Sequence, residues 1–160
     1  MTSKNNEIII KKLNLLDSSR LSKLFSHAID HDFDYIHRSH ILDIKSSNRL
    51  NDFIKASINP SRLIFLAYYK KQLVGYIIAG INIDYTGYID WIYVDKTYRK
   101  KNIGKDLLGE VLGGLSTKKV SCVSLITHNQ TDFYTKRGFR HIKSVESYGV
   151  RHNLMSINLV

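Results

Sequence analysis

The chain is poor in the residues that staple or punctuate small and extended proteins: of 160 residues, one is cysteine, one is proline and nine are glycine. A lone cysteine can neither close an internal disulfide nor supply a thiolate zinc cluster, which excludes disulfide-built secreted scaffolds and makes a reducing compartment the expectation. So little proline and glycine, beside ten tyrosines, excludes collagen-like, linker-rich and disordered compositions. Long apolar runs are also missing. The most apolar stretch, Leu63 to Tyr69, falls far short of the ~20 residues a membrane helix needs. The opening MTSKNNEIII has no long apolar segment after a basic one, so a soluble, cytoplasmic chain is expected. With 43% hydrophobic residues, a chain this long can bury most of its unfolded surface around one core, and one domain over residues 1–160 is expected.

Acidic residues are scarce as well, 14 against 24 basic ones, for a net charge of +10. That balance favours polyanionic partners: nucleic acid, anionic lipid or a phosphorylated cofactor. Its distribution is more informative. Asp30, Asp32, Asp34 and Asp43 crowd one short stretch, whereas Tyr98 to Lys105 carries four basic residues and no acid. Two differently charged sites are expected.

What is present reads as strands and helices in a definite order. Glu7 to Leu13 is a short β-rich run, followed by a helix that Asp17 or Ser18 can cap, with Leu21, Leu24, Phe25, Ala28 and Ile29 on one face. Residues 30–47 lack periodicity. Asn48 precedes a second helical pattern at Leu50, Phe53, Ile54 and Ile58, closed by Asn59-Pro60. Leu63 to Tyr69 and Leu73 to Ile83 read as a hairpin across Lys70-Lys71-Gln72, with Tyr88 to Val94 as the next antiparallel strand, interrupted by Asp90. A helix bearing Leu107, Leu108, Val111, Leu112 and Leu115 then leads to a strand over Val120 to Ile126, which implies a βαβ crossover. A short helix near Thr131 to Arg137, ended by Gly138, precedes two strands near Phe139 to Tyr148 and His152 to Val160.

The chemistry concentrates between the strand ending at Val94 and the helix opening near Gly104. A helix start presents unpaired N–H groups and a positive dipole end, and Arg99, Lys100, Lys101 and Lys105 add charge. That combination suits a phosphate group; the alternative is a basic run that is only a solvated face. A Walker loop would need glycine where Arg99 stands and a hydroxyl where Asp106 stands, and a dinucleotide fingerprint needs three glycines where only Gly104 is present. Both are excluded. His27, His31, His37 and His40 have spacings that could converge on a metal, but no thiolate assists and the helix should end between the first two, so no metal is expected. Cys122 falls in a strand expected to be buried and reads as a small hydrophobe.

The run Arg99-Lys100-Lys101-Asn102-Ile103-Gly104 resembles the pyrophosphate loop Arg/Gln-x-x-Gly-x-Gly/Ala of the GNAT acetyltransferase superfamily. The resemblance extends through YIDWIYVDKTYR before it and LLGEVL after it, and returns in FYTKRGF, similar to the family's second signature. It implies an α/β fold with a mixed, mainly antiparallel sheet of about seven strands and about four helices, splayed at the fourth and fifth strands. It also implies an N-acetyltransferase that moves an acetyl group from acetyl-CoA directly to a primary amine of a small molecule, protein or peptide. Ile92, Tyr93 and Val94 would hold the pantetheine arm. Arg99, Lys100, Lys101, Asn102, Ile103, Gly104 and Lys105 would hold the pyrophosphate, Asn129 would contact the cofactor or cap the short helix, and Tyr134 would adjoin the cofactor and protonate the departing thiolate, or else be a packed aromatic beside Phe133. Asp90 sits where several members carry a glutamate base. An aspartate near ~3.9 facing an amine near ~10.4 is mismatched by about six units, about 8 kcal/mol, so a base role would need burial or a water relay, and the alternative is a structural or substrate-holding carboxylate. Asp30, Asp32 and Asp34 border the family's acceptor side and could attract a cationic amine.

One residue departs from the pattern, Asn102 in place of the first glycine of the loop. Asparagine is the non-glycine residue that best tolerates positive φ, at about 1 kcal/mol of local strain. Two other readings compete: a nucleic-acid-binding module using the basic loop, without any recognised motif for it, and a catalytically silent CoA-binding sensor. No membrane partner and no specific nucleic-acid partner is expected, and the oligomeric state is monomer or homodimer.

Overall fold

The computed structural model describes residues 7–159; Met1 to Asn6, where a leader would begin, and Val160, the end of the last expected strand, lie outside them. The elements run β1 (Ile8–Lys12), α1 (Ser18–His31), α2 (Arg38–Ser46), α3 (Leu50–Ile58), β2 (Arg62–Tyr69), β3 (Gln72–Ile81), β4 (Gly87–Val94), α4 (Ile103–Thr117), β5 (Cys122–Thr127), α5 (Thr131–Thr135), β6 (Arg140–Ser147) and β7 (Val150–Asn158). They build one seven-stranded sheet in the order β1-β2-β3-β4-β5-β7-β6, antiparallel except for the parallel β4–β5 pair that the α4 crossover creates.

β2 explains why the central strands read as continuous apolar runs. Leu63 and Ala67 pack with α4 on one face, while Ile64, Leu66 and Tyr68 pack under α1 and α3 on the other. A strand covered on both faces has no polar side to show. α4 contributes fully buried Leu107, Leu108, Val111 and Leu115, each adding about 1.5–3 kcal/mol of apolar burial. On the opposite face, Phe25 of α1 packs against Phe53 of α3, Tyr76 of β3 and Trp91 of β4, at ring distances of 5.5–5.8 Å.

The helices differ from expectation in four places. Among the described residues there are five rather than about four, because α2 occupies part of the stretch without periodicity. Ile44 is its one buried side chain, so it carries no apolar stripe, and it starts on His37, whose Nδ1 accepts the Ser39 N–H at 3.3 Å. Asn48 does not cap α3. Its amide donates to Ile44 C=O at 2.8 Å, and Asp52 instead accepts the Arg49 N–H at 2.9 Å. Asp17 occupies the N-cap position of α1 without capping it: its carboxylate is 3% exposed and binds Lys11 at 2.8 Å and the Tyr68 hydroxyl at 2.7 Å. Leu50 and Ile58 of the apolar α3 pattern are exposed, and Cys122, expected to be buried, is partly accessible at the start of β5.

Candidate functional site

The site begins with a failure of pairing. β4 and β5 are in register only from Gly87 to Ile89 against Val123 to Leu125, and beyond that point the strands diverge. A cleft of about 580 Å³ opens in the gap. Its walls are Ile92 to Val94 of β4, the loop leading into α4, the end of β5 with Asn129, α5, and residues 32–36 of the segment between α1 and α2.

The loop after β4 is shaped for an anion. Asp95 Oδ1 accepts the Thr97 N–H at 2.9 Å, closing a short 3₁₀ turn, and Arg99 Nε donates to Val94 C=O at 2.9 Å, folding the chain back over the strand end. Lys100 and Asn102 then take positive φ, +61° and +64°, so the asparagine stands where the family pattern has glycine and does adopt the left-handed conformation. Among the described residues, no backbone N–H from Lys100 to Lys105 meets a backbone carbonyl; the first helical bond joins Asp106 N–H to Asn102 C=O at 2.9 Å. Such a row of free N–H groups at a helix start matches a pyrophosphate in both charge and donor count. A Cβ on Gly104 would meet nothing closer than Phe133 at 3.6 Å, so space exists above the backbone. Lys100 and Lys105 face the cleft. Lys101 does not line it and instead sits over the rings of Tyr69 and Tyr98 at 5.6 and 5.7 Å.

Tyr134, on α5, is 5% exposed and lies against Phe133 and Phe139, with ring centroids at 5.0 and 5.6 Å. It lines the cleft, and its hydroxyl has no protein hydrogen-bond partner among the described residues. Burial, reinforced by Tyr35, pushes its phenol above the ordinary tyrosine value, so it stays protonated and able to donate. Asn129 lines the cleft without capping α5; its Oδ1 accepts from the Gln130 side chain at 3.3 Å, and Thr127 Oγ1 accepts the Gln130 N–H.

Asp90 enters the cleft because β4 bulges there. Trp91 pairs with Ile78 and Ile89 with Ala79, leaving Asp90 as the extra residue. Without the bulge, strand alternation would send Asp90 and Trp91 to opposite faces. Asp90 Oδ2 is 3.0 Å from Arg62 Nη2, and Arg62 Nη1 is 3.0 Å from the Tyr88 hydroxyl. Burial raises the Asp90 carboxyl, and Arg62 draws it partly back.

The three other aspartates are separated by the fold. Asp30 does not line the cleft and binds Lys45 at 2.8 Å. Asp32 lines it but is occupied, accepting from the Tyr93 hydroxyl and Lys96, each at 2.5 Å. Burial pushes the Asp32 carboxyl up, but these hydrogen bonds and the charges of Lys96 and Arg99 outweigh it and hold it below the usual range. Asp34 lines the cleft beside Tyr35. Of the four histidines, the rings of His27 and His31 lie 4.6 Å apart and tilted by 47°, and among the described residues no three His, Cys, Asp or Glu side chains are placed to hold a metal.

Several cleft residues escape sequence reasoning. Arg137, two residues before the end of FYTKRGF, lays its guanidinium 3.8 Å from the Phe133 ring centroid and donates to Phe133 C=O at 2.6 Å. Its Nε is buried without a partner at the cleft wall. Tyr35, His128, Tyr148 and His152 also line the cleft, from three separate stretches of chain with no spacing signal to connect them.

The sequence model of the Acetyltransferase (GNAT) domain matches residues 37–159. No curated protein matches the chain. Among solved structures, the chain is similar to the PaiA N-acetyltransferase of Thermoplasma acidophilum in complex with coenzyme A, at 21% identity and TM-score 0.80 over 94% of this chain and 98% of that one. It is also similar to a GNAT-family acetyltransferase of Staphylococcus aureus Mu50, at 23% identity and TM-score 0.75 over 96% and 99%. The yncA protein of Salmonella typhimurium, solved with its cofactor acetyl-CoA, is 16% identical with TM-score 0.76 over 97% and 95%. These likenesses establish the fold, and the match over residues 37–159 establishes the lineage: the chain belongs to the GNAT acetyltransferase family.

Proposed function

We propose that the protein binds acetyl-CoA in the β4–β5 cleft and transfers its acetyl group directly to a primary amine. The observation that carries this reading is one cleft in which a row of free backbone N–H groups, at residues 100–105, and the protonated Tyr134 hydroxyl are both presented. The N–H row, with Lys100 and Lys105, binds the pyrophosphate, and main-chain groups of Ile92 to Val94, which β5 does not pair and of which Val94 C=O already accepts from Arg99 Nε, bind the pantetheine arm. Arg137 supplies a further cation at the same wall. Acetyl-CoA contributes the thioester; the protein orients it, excludes water around the reacting carbon and lets Tyr134 give its proton to the departing sulfur. Asp90 and Asp34 give the acceptor end negative charge that attracts an ammonium group.

The reading is tested by mixing protein and acetyl-CoA with a panel of small amines and lysine peptides at near-physiological salt and measuring released thiol. Acetyl-CoA at a hundredfold excess over its dissociation constant should stabilise the fold by ~2.7 kcal/mol. DNA or RNA held by the basic loop should be displaced by CoA, whereas tight binding that survives ~200 mM salt and ignores CoA would select the nucleic-acid reading instead.

A further inference from the structure

We propose that His152, rather than Asp90, removes the proton from the acceptor amine, through Nε2. This rests on the acetyl-transfer reading of the cleft. His152 sits on β7, is 4% exposed and lines the cleft across from β4. Its Nδ1 lies 2.9 Å from Val150 C=O. A carbonyl oxygen only accepts, so Nδ1 carries the hydrogen and the neutral ring keeps its lone pair on Nε2. The bond to main chain fixes the tautomer as well as the ring plane.

The surroundings hold that ring in place. Tyr35 meets His152 edge-on at 5.9 Å and stacks on His128 at 4.6 Å, and the two imidazoles are 5.8 Å apart. His128 donates through Nδ1 to Arg151 C=O at 3.2 Å, the same device one residue along, but it is more open to water. Tyr35 and His128 are in ring contact with His152, and the ionisable groups that line the same cleft are Asp32 and Asp34 from the segment after α1, Asp90 and Tyr93 from β4, Tyr98, Arg99, Lys100 and Lys105 around the start of α4, Tyr134 and Arg137 at α5, and Tyr148 from the β6–β7 turn. Burial, then Asp34, pushes the Tyr35 hydroxyl up to about 12, and burial pushes Tyr134 and Tyr148 up, so none of the phenols is a base near neutrality. Asp90 Oδ2 is held at 3.0 Å by Arg62, whose positive charge opposes protonation of the carboxylate. His152 Nε2 has no cation paired to it.

The protons balance. The acceptor ammonium gives one proton to His152 Nε2, which passes it to solvent. The neutral nitrogen forms the C–N bond as the C–S bond breaks, the Tyr134 hydroxyl proton goes to sulfur, and a second nitrogen proton replaces it on the phenol oxygen. The products are the N-acetyl amine, CoA thiol and one released proton.

The test is His152→Asn, whose amide can still donate to Val150 C=O while offering no base. With n-butylamine, or whichever primary alkylamine of the panel turns over fastest, kcat should fall about 10²-fold or more. Melting temperature and acetyl-CoA affinity should stay close to wild type, and the acid limb of the kcat/KM profile should vanish. Aniline, already unprotonated at neutral pH, should be acetylated by the variant within a few-fold of wild type, an outcome that a merely structural role would not produce. A variant that keeps full rate and its acid limb, or loss of that limb in Asp90→Asn instead, overturns the proposal. A wild type that binds acetyl-CoA yet releases no thiol with any amine overturns the acetyl-transfer reading and this inference together, and is thereby distinct. If His152→Asn fails to fold, nitrogen NMR of the labelled wild-type imidazole in the acetyl-CoA complex decides: Nδ1–H with bare Nε2 is expected, and a neutral Nε2–H tautomer overturns it.

Discussion

Asn102 gives the sharpest test of the proposal that the loop after β4 binds acetyl-CoA. It holds φ +64° at the mouth of α4, and its C=O anchors the first helical hydrogen bond, from Asp106 N–H at 2.9 Å. For an L-residue the left-handed region costs roughly 1–2 kcal/mol, which asparagine partly escapes and a β-branched residue does not. Asn102→Val therefore raises the cost of the binding geometry by about 1–2 kcal/mol. If the free loop relaxes and only the complex demands positive φ, that cost appears as ~5- to 30-fold weaker acetyl-CoA binding. Asn102→Gly removes the steric cost and should bind as well as or better than wild type. Asn102→Asp retains tolerance of positive φ but places a carboxylate beside the phosphates, so its loss should be largest at low salt and shrink as salt rises. Isothermal titration with acetyl-CoA on the three variants separates conformation from charge. Equal affinities for the valine and glycine variants would refute the claim that the left-handed conformation at 102 organises the N–H row.

Tyr134→Phe should lower turnover by ~10²- to 10⁴-fold with acetyl-CoA affinity nearly unchanged, since the ring and its packing survive and only the donated proton is lost; steady-state kinetics beside a binding titration read this split. Gly104→Glu should fold, because a Cβ there has room beside Phe133, yet its carboxylate enters the phosphate cradle and should abolish the thermal shift on adding acetyl-CoA. An unchanged shift would place the cofactor elsewhere. Asp17→Asn should lower stability by about 2–3 kcal/mol at neutral pH and the melting temperature by about 4–10 °C, by replacing charge-assisted bonds to Lys11 and Tyr68 with weaker ones. Burial raises the Asp17 carboxyl, but those partners outweigh it and leave it below the ordinary value. The stabilisation is therefore complete above about pH 4, the unfolded value, and is lost as pH falls through the folded one, so wild type and variant should converge in acid melts.

Much of the fold was legible in the sequence because local pattern and tertiary role coincide there. β2, β3 and β4 sit between two helical layers, so they carry continuous apolar runs, and α4 buries one face, so it carries a clean stripe. The loop proposed to bind phosphate was legible for a similar reason: it is made by consecutive residues, and the asparagine at 102 takes the positive φ expected of it. α2 was invisible because its one buried side chain, Ile44, leaves no period to detect. The acceptor side was invisible for a deeper reason. Asp30, Asp32 and Asp34 look equivalent in sequence, yet Lys45 claims the first outside the cleft, Tyr93 and Lys96 claim the second, and only Asp34 of the three faces the cleft without such a tie. The bulge that turns Asp90 toward Arg62, and the meeting of Tyr35, His128 and His152 from distant parts of the chain, exist only once the sheet has closed and splayed. Sequence by itself determined most of the elements and the basic loop, since those depend on neighbours in the chain; the tertiary structure alone decided which charges are spent on the protein and which face the cleft, since that depends on neighbours in space.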